Sequence, residues 1–230
     1  MPAAAAEAWR RGVALILLAF TAGTMDTIAF LALGEIFTSA MSGNTVLFGL
    51  ALGQGNLVAA SRALTAFAGY VCGVIVASAV LRSSPERGIR RVLGLELLFT
   101  AVFAGWWTIR GGASYPDNPY GLIVLSATAM GLQGGIGRVI RVTGIPTIVV
   151  TSTLTAIVGG VTERTLAHAP LLPPAARQQI GAYAAYFASA VICGIAVWTG
   201  WLAAMTFVPA AAVLAVWFGV KRGVLRLAPD

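Results

Sequence analysis

A chain of 230 residues that is 58% hydrophobic and only 10% charged, with a mean hydropathy of +0.87, lies outside the range of soluble domains, in which about a quarter of the residues are charged. The composition is that of a polytopic membrane protein: a single bundle over residues 1–230, with no length to spare for a soluble domain. The formal net charge of +7 comes from 15 basic and 8 acidic residues. The basic residues cluster in loops and form no stripe interleaved with aromatics, so they are read as orientation charges in a lipid bilayer, and no nucleic-acid partner is expected.

In chain order, Arg10 and Arg11 precede an apolar stretch, Gly12–Leu33. The small residues Thr21–Ala22–Gly23 could pass for the end of a signal peptide, but the apolar character runs on for about 22 residues, a full membrane span, and an uncleaved first helix is expected. Further apolar segments follow at Ser42–Leu52, Ser61–Leu81, Val92–Ile109, Gly121–Val139, Val150–Val161, Ile180–Gly200 and Ala203–Val220. Six of the eight are long enough, at roughly 18–22 residues, to cross about 30 Å of hydrocarbon. The second and sixth reach only about 18 Å as helix and cannot span. Each short segment follows a polar break, Thr38–Thr45 in the first half and Thr147–Thr153 in the second.

The two halves correspond. Gly23–Thr24–Met25–Asp26 matches Gly131–Leu132–Gln133–Gly134, Ser42–Gly43–Asn44 matches Thr151–Ser152–Thr153, and Phe67–Ala68–Gly69–Tyr70 matches Tyr183–Ala184–Ala185–Tyr186. We read two internal repeats, 12–109 and 121–220, linked by Arg110–Tyr120. Charge then tests the topology. If all eight segments cross, basic residues fall on both faces. If the two short segments enter and leave on one side, only Arg62 and Arg110 lie outside. The second arrangement is preferred. It has six transmembrane helices, both termini cytoplasmic, and two re-entrant half-helix segments, and three crossings per unit make the repeats inverted. An extended strand followed by a half-helix could also cross, which leaves crossing as the alternative.

Paired polar breaks of this kind point to a binding site in a repeat-built transporter, because non-helical backbone at membrane depth must be buried in protein or line a cavity. In the first break Ser42, Asn44 and Thr45 are cap formers, and Gly43 permits close approach of a ligand or of another backbone. Thr151, Ser152 and Thr153 repeat this chemistry. Two half-helix N-termini meeting near the midplane would suit an anion or a neutral polar solute with acceptor oxygens. Capping of buried helix ends is the plainer reading of the same residues. Asp26, well inside an apolar segment, could relay a proton, hold a cation or cap the first half-helix. Gln133 is beside its counterpart position.

Other residues are read more plainly. Glu96 is expected to snorkel or pair near Arg91, and Cys72 and Cys193 to be buried small side chains. Gly69 and Gly73 suit close helix packing within the bundle, with homodimerisation as the alternative. Tyr70 and Tyr186 read as core, and Pro209 as a kink. The single histidine, His168, lies in a Pro-rich loop, and no nucleotide loop or metal-ligand spacing occurs. No catalysis, cofactor or metal is expected.

Gly23–Thr24–Met25–Asp26, Phe30–Leu31, Leu33–Gly34 and Met41–Ser42–Gly43–Asn44–Thr45, with the later Gly131–Leu132–Gln133 and Thr151–Ser152–Thr153–Leu154–Thr155, resemble the signatures of the YoaK-like family of bacterial multi-pass membrane proteins, a domain of unknown function. The family often has Asn after the Gln, where this chain has Gly134. The resemblance implies a bacterial inner membrane and supplies no substrate. The expectation from the residues is a small-solute transporter or channel with a polar site that includes Asp26. The alternative is a non-transporting scaffold, sensor or assembly factor.

Overall fold

The computed structural model describes residues 3–82, 85–109, 118–140, 150–168, 174–225 and 227. Among these, every regular element is a helix: α1 (Ala3–Ala32), α2 (Met41–Gly53), α3 (Leu57–Leu81), α4 (Pro85–Ile109), α5 (Tyr120–Ile140), α6 (Val150–Leu166), α7 (Pro174–Trp198), α8 (Leu202–Met205) and α9 (Val208–Lys221). Six stretches are long and apolar enough to cross a membrane. They lie on α1, α3, α4, α5, α7 and the α8–α9 pair. In the last of these the helix breaks at Thr206–Phe207, and Pro209 sits in the first turn of α9, where its missing N–H is no loss. Threonines inside the spans return their hydroxyls to carbonyls four residues back (Thr21 to Leu17, Thr24 to Phe20, Thr27 to Gly23), so they reach membrane depth already satisfied.

Close packing along two glycine-lined seams sets the helix directions. On the first, Gly12 of α1 faces Gln178 of α7, and Gly23 faces the Tyr186 carbonyl and Ser189. On the second, Gly69 of α3 faces Ala127 of α5, Gly73 faces Thr128 and Gly131, and Ala77 faces Gly135. Residue numbers rise together along both seams, so each pair is parallel. Any side chain on Gly73 or Gly131 would strike the opposite backbone, so these helices approach as closely as glycine allows. Helix α4 runs against both α3 (Gly88 beside Leu81) and α5 (Trp106 beside Gly121), and α9 packs on α1 and α4.

Two core layers result. One gathers Leu15, Leu18, Leu81, Leu93, Ile136 and Val216; the other gathers Met25, Ile28, Leu33, Ala63, Phe103 and Ile123. The end of the bundle beside the first layer carries Arg10, Arg11, Arg82, Arg87, Arg90, Arg91, Arg138, Arg177, Lys221 and Arg222, and the opposite end carries Arg62 and Glu35. Trp198 and Trp201 are exposed at that opposite end and Trp9 at the basic one. Trp107 departs from that pattern and is buried in the second layer. Cys193 is buried as expected, but Cys72 is exposed on the outer face of α3.

Helix α2 has 13 residues, about 20 Å, and packs on α3. The chain turns into and out of it at two left-handed glycines. Gly34 (φ 98°) follows α1, where Glu35 N–H closes on the Phe30 carbonyl, and Gly55 (φ 68°) follows α2, where Asn56 N–H closes on the Ala51 carbonyl. The Asn56 side chain then caps α3 by accepting from Ala59 N–H. Leu33, just past the end of α1, and Ala63, in the second turn of α3, both lie in the second core layer.

Candidate functional site

Asp26 sits in α1 about 10 Å below the end of that helix, and it is 2% exposed. Its Oδ1 accepts hydrogen bonds from the Thr38 and Ser39 amides, each at 2.7 Å, and from Thr38 Oγ1 at 3.0 Å. Its Oδ2 accepts from Ser39 Oγ at 2.6 Å and Tyr186 Oη at 2.7 Å. The carboxylate therefore holds the chain that leaves α1 folded back into the bundle. It does so with backbone donors that lipid could not satisfy. Asp26 organises the loop before α2 and does not cap the helix itself, because the Thr38 and Ser39 amides that it holds precede the Ala40 N-cap. Tyr186, read as a core residue, is part of the same network, and it comes from α7.

Asn44 locks the loop from the other side. Its Oδ1 accepts from Phe37 N–H at 2.8 Å and its Nδ2 donates to the Phe37 carbonyl at 2.5 Å. The Phe37 ring stacks on Phe30 with centroids 5.3 Å apart and lies over Gly43, where a Cβ would strike it. Gly43 is thus needed for the approach of the chain's own phenylalanine. Helix α2 starts at Met41 with Ala40 as its N-cap, and no side chain among the described residues caps it. The Ser39 hydroxyl that could have done so is bonded to Asp26 instead. Ser42 and Thr45 are exposed, and Thr45 Oγ1 bonds back to the Met41 carbonyl. Asn44 and Thr45 line a crevice of about 240 Å³ between α2 and α3, whose other walls are Phe48, Ala63, Leu64 and Phe67.

Gln133 is buried in α5. Its Nε2 donates to the Leu18 carbonyl of α1 at 3.0 Å, while its Oε1 has no donor among the described residues. The second break is only partly in view. Residues 141–149, with Pro146 and Thr147–Val149, lie outside the described residues, as does the side chain of Thr151. Ser152 is exposed and Thr153 buried in the first turn of α6, which packs on α7.

Glu96 differs from expectation. It is fully buried in α4, and neither carboxyl oxygen has a partner among the described residues. The pairing with Arg91 fails for a simple reason: residues five apart on a helix point about 140° away from each other, so the arginine turns outward while the glutamate turns into the bundle. That spacing is the signal by which the sequence could have revealed it.

Six apolar spans packed around a carboxylate-anchored loop define a polytopic α-helical membrane protein. The chain belongs to the family described as "Protein of unknown function (DUF1275)", which it matches over residues 14–219. It is similar to the UPF0700 transmembrane protein YoaK of Bacillus subtilis (strain 168), with 35% identity over 158 residues that cover 67% of this chain and 68% of that one. The resemblance carried by the Gly23–Asp26 and Met41–Thr45 strings is thereby borne out. No solved structure matches the chain.

Proposed function

We propose that this protein is a small-solute transporter or channel of a bacterial inner membrane, built as two inverted repeats, with both termini cytoplasmic and with the polar breaks forming its solute path. The packing supports the repeat. Exchanging α1 with α5, α2 with α6, α3 with α7 and α4 with α9 carries the α1–α7 contact onto α5–α3, α1–α9 onto α5–α4, and α2–α3 onto α6–α7. The agreement extends to single residues. Gly23 lies against the Tyr186 carbonyl and Ser189, and its aligned partner Gly131 lies against the Tyr70 carbonyl and Gly73. Helix α2 reads as re-entrant, since the chain leaves α1 and enters α3 in the same core layer after folding back to Asp26. The density of arginine at the end where α1 begins supports a cytoplasmic location for that end.

The observation that carries the proposal is the bond from Tyr186 to Asp26. It latches the loop of one half to a helix of the other. Rocking of the halves, the usual route to alternating access in such folds, would therefore strain or release the loop. The exposed Ser42 at the start of α2 sits at the positive end of a helix dipole, which favours an anionic solute or a neutral one with acceptor oxygens. One observation favours the alternative of a non-transporting scaffold or sensor: the polar atoms of Asp26 and Asn44 are already used within the protein. Flux measurements in proteoliposomes separate the two, using a panel of small anions and polar solutes with and without a pH gradient. Transport of a panel solute that is slowed in Tyr186→Phe supports the proposal. A folded preparation that moves nothing overturns it in favour of the scaffold.

A further inference from the structure

At the basic end of the bundle, a crevice of about 400 Å³ opens between the first turns of α4 and the last turn of α9, lined by Arg87, Arg90, Arg91, Gly94, Trp217 and Lys221. We propose that this crevice binds the headgroup of an anionic glycerophospholipid. Arg87, Arg90, Arg91 and Gly94 are spaced i, i+3, i+4 and i+7, so one face of α4 turns three guanidinium groups toward it. Lys221 adds a fourth cation from a second helix, its Nζ 4.9 Å from the centre of the Trp217 ring. The Trp217 indole N–H donates to the Arg90 carbonyl at 3.1 Å, which ties the two walls together and fixes the width of the opening. Among the described residues no carboxylate lines the crevice, and none pairs with Arg87, Arg90 or Arg91.

Orientation charges need only be on the correct side of the membrane; they need not converge on a hollow. Here they converge from two helices, over a floor of glycine and indole. The level is that of the lipid headgroups, since the tryptophan and the arginines mark the interface. Below the crevice, Leu98 and Val102 continue the Gly94 ridge of α4 and are exposed, as are Leu214 and Phe218 on α9. Acyl chains hanging from a phosphate held by the arginines would lie on these side chains. Free phosphate would satisfy the cations but leave this apolar run unused, so the lipid is the better occupant.

The test uses the full-length protein in nanodiscs or detergent, with phosphatidylglycerol, cardiolipin and phosphatidylcholine as probes, and reads bound lipid by native mass spectrometry. Anionic lipid is expected to be retained over phosphatidylcholine. Retention should fall about fivefold for each charge removed in Arg90→Gln and Arg91→Gln. Arg10→Gln with Arg177→Gln removes the same charge from the same end, outside the crevice, and should leave retention within about twofold. Gly94→Leu changes no charge, and a Cβ there meets nothing among the described residues closer than the Trp217 indole nitrogen, at 3.5 Å; by filling the hollow the leucine should also weaken retention. Equal losses from the crevice pair and the distant pair would reduce the site to net charge and overturn the proposal. So would full retention in both Gly94→Leu and the arginine variants, or displacement of the lipid by millimolar inorganic phosphate, which would make the site one for the free anion.

Discussion

Tyr186 donates its hydroxyl to Asp26 Oδ2 at 2.7 Å, joining residues 160 positions apart at the depth where the chain folds back before α2. Its neighbour on the same carboxyl oxygen is Ser39, whose backbone amide and hydroxyl both point to Asp26. The tyrosine therefore adds an inter-helix tie to a loop that is already anchored locally.

Tyr186→Phe should accordingly keep the loop in place and remove only the tie. Hydrogen bonds between membrane helices are worth about 0.6–2 kcal/mol, and a loss of that size is expected in thermal or denaturant unfolding of the detergent-solubilised protein. Asp26→Asn should cost more. It removes the charge that strengthens the bonds from the Thr38 and Ser39 amides, and it forces the Ser39 and Tyr186 hydroxyls on the other oxygen to turn from donors into acceptors. Equal stability of the two variants would show that the local anchors do not depend on the carboxylate.

Asn44→Ala removes both partners of the Phe37 backbone at once. Leaving the part-buried amide and carbonyl unsatisfied costs up to about 1–3 kcal/mol each, the upper end applying to fully buried groups. The loop is the part expected to loosen: a single cysteine at Ser42 should react faster with a membrane-permeant maleimide in Asn44→Ala than in the parent. Asn44→Asp keeps the acceptor for the Phe37 amide and loses the donor, so it should fall between the two. Both native cysteines, Cys72 exposed on α3 and the buried Cys193, have to be replaced first.

The seams give a paired test. Gly131→Leu and Gly23→Leu each place a side chain against backbone of the facing helix, α3 in one case and α7 in the other. Both are expected to destabilise the fold by several kcal/mol or to prevent its assembly, because the clash is with main chain and cannot be relieved by a rotamer change. Gly105→Ala and Gly159→Ala meet nothing within 4 Å among the described residues and should be neutral in the same assay. A duplicated architecture requires the two seam variants to be similarly damaging, so strong damage from one and none from the other would count against it.

Much of this architecture was legible in the chain because the bilayer imposes a length rule. The six long apolar runs became the six candidate spans, and Ser42–Leu52 became the short α2, since about 20 residues are needed to cross and 11–13 do not suffice. The break at Thr38–Thr45 was visible for the same reason: polar residues stand out against an apolar background. Partners were not visible. Nothing local marks Tyr186 as the donor to Asp26 rather than as another core aromatic, because the contact depends on how α7 lies on α1. The use of Ser39 follows the same logic. Its composition suits a cap, but a carboxylate within reach outcompetes the amides of α2. Glu96 is the opposite case, misread although its helical phase relative to Arg91 was available from the sequence.

Glu96 then supports the sharpest separation of stability from function. A fully buried carboxyl group with no donor among the described residues is a standing cost to the fold, so removing it should help. Glu96→Met, close in volume and without polar atoms, is expected to stabilise the protein by about 1–3 kcal/mol, which corresponds to a rise in Tm of a few degrees for a chain of this size. Natural proteins keep such a group where activity needs it, and the flux assay asks whether this one does. If solute movement is driven by a pH gradient, Glu96→Met should be the more stable protein and the slower transporter, and Glu96→Gln should share the loss of coupling. A variant that gains stability and keeps its full gradient-driven rate would remove Glu96 from the transport path. A variant that loses stability would mean that the carboxyl has a stabilising partner in the membrane.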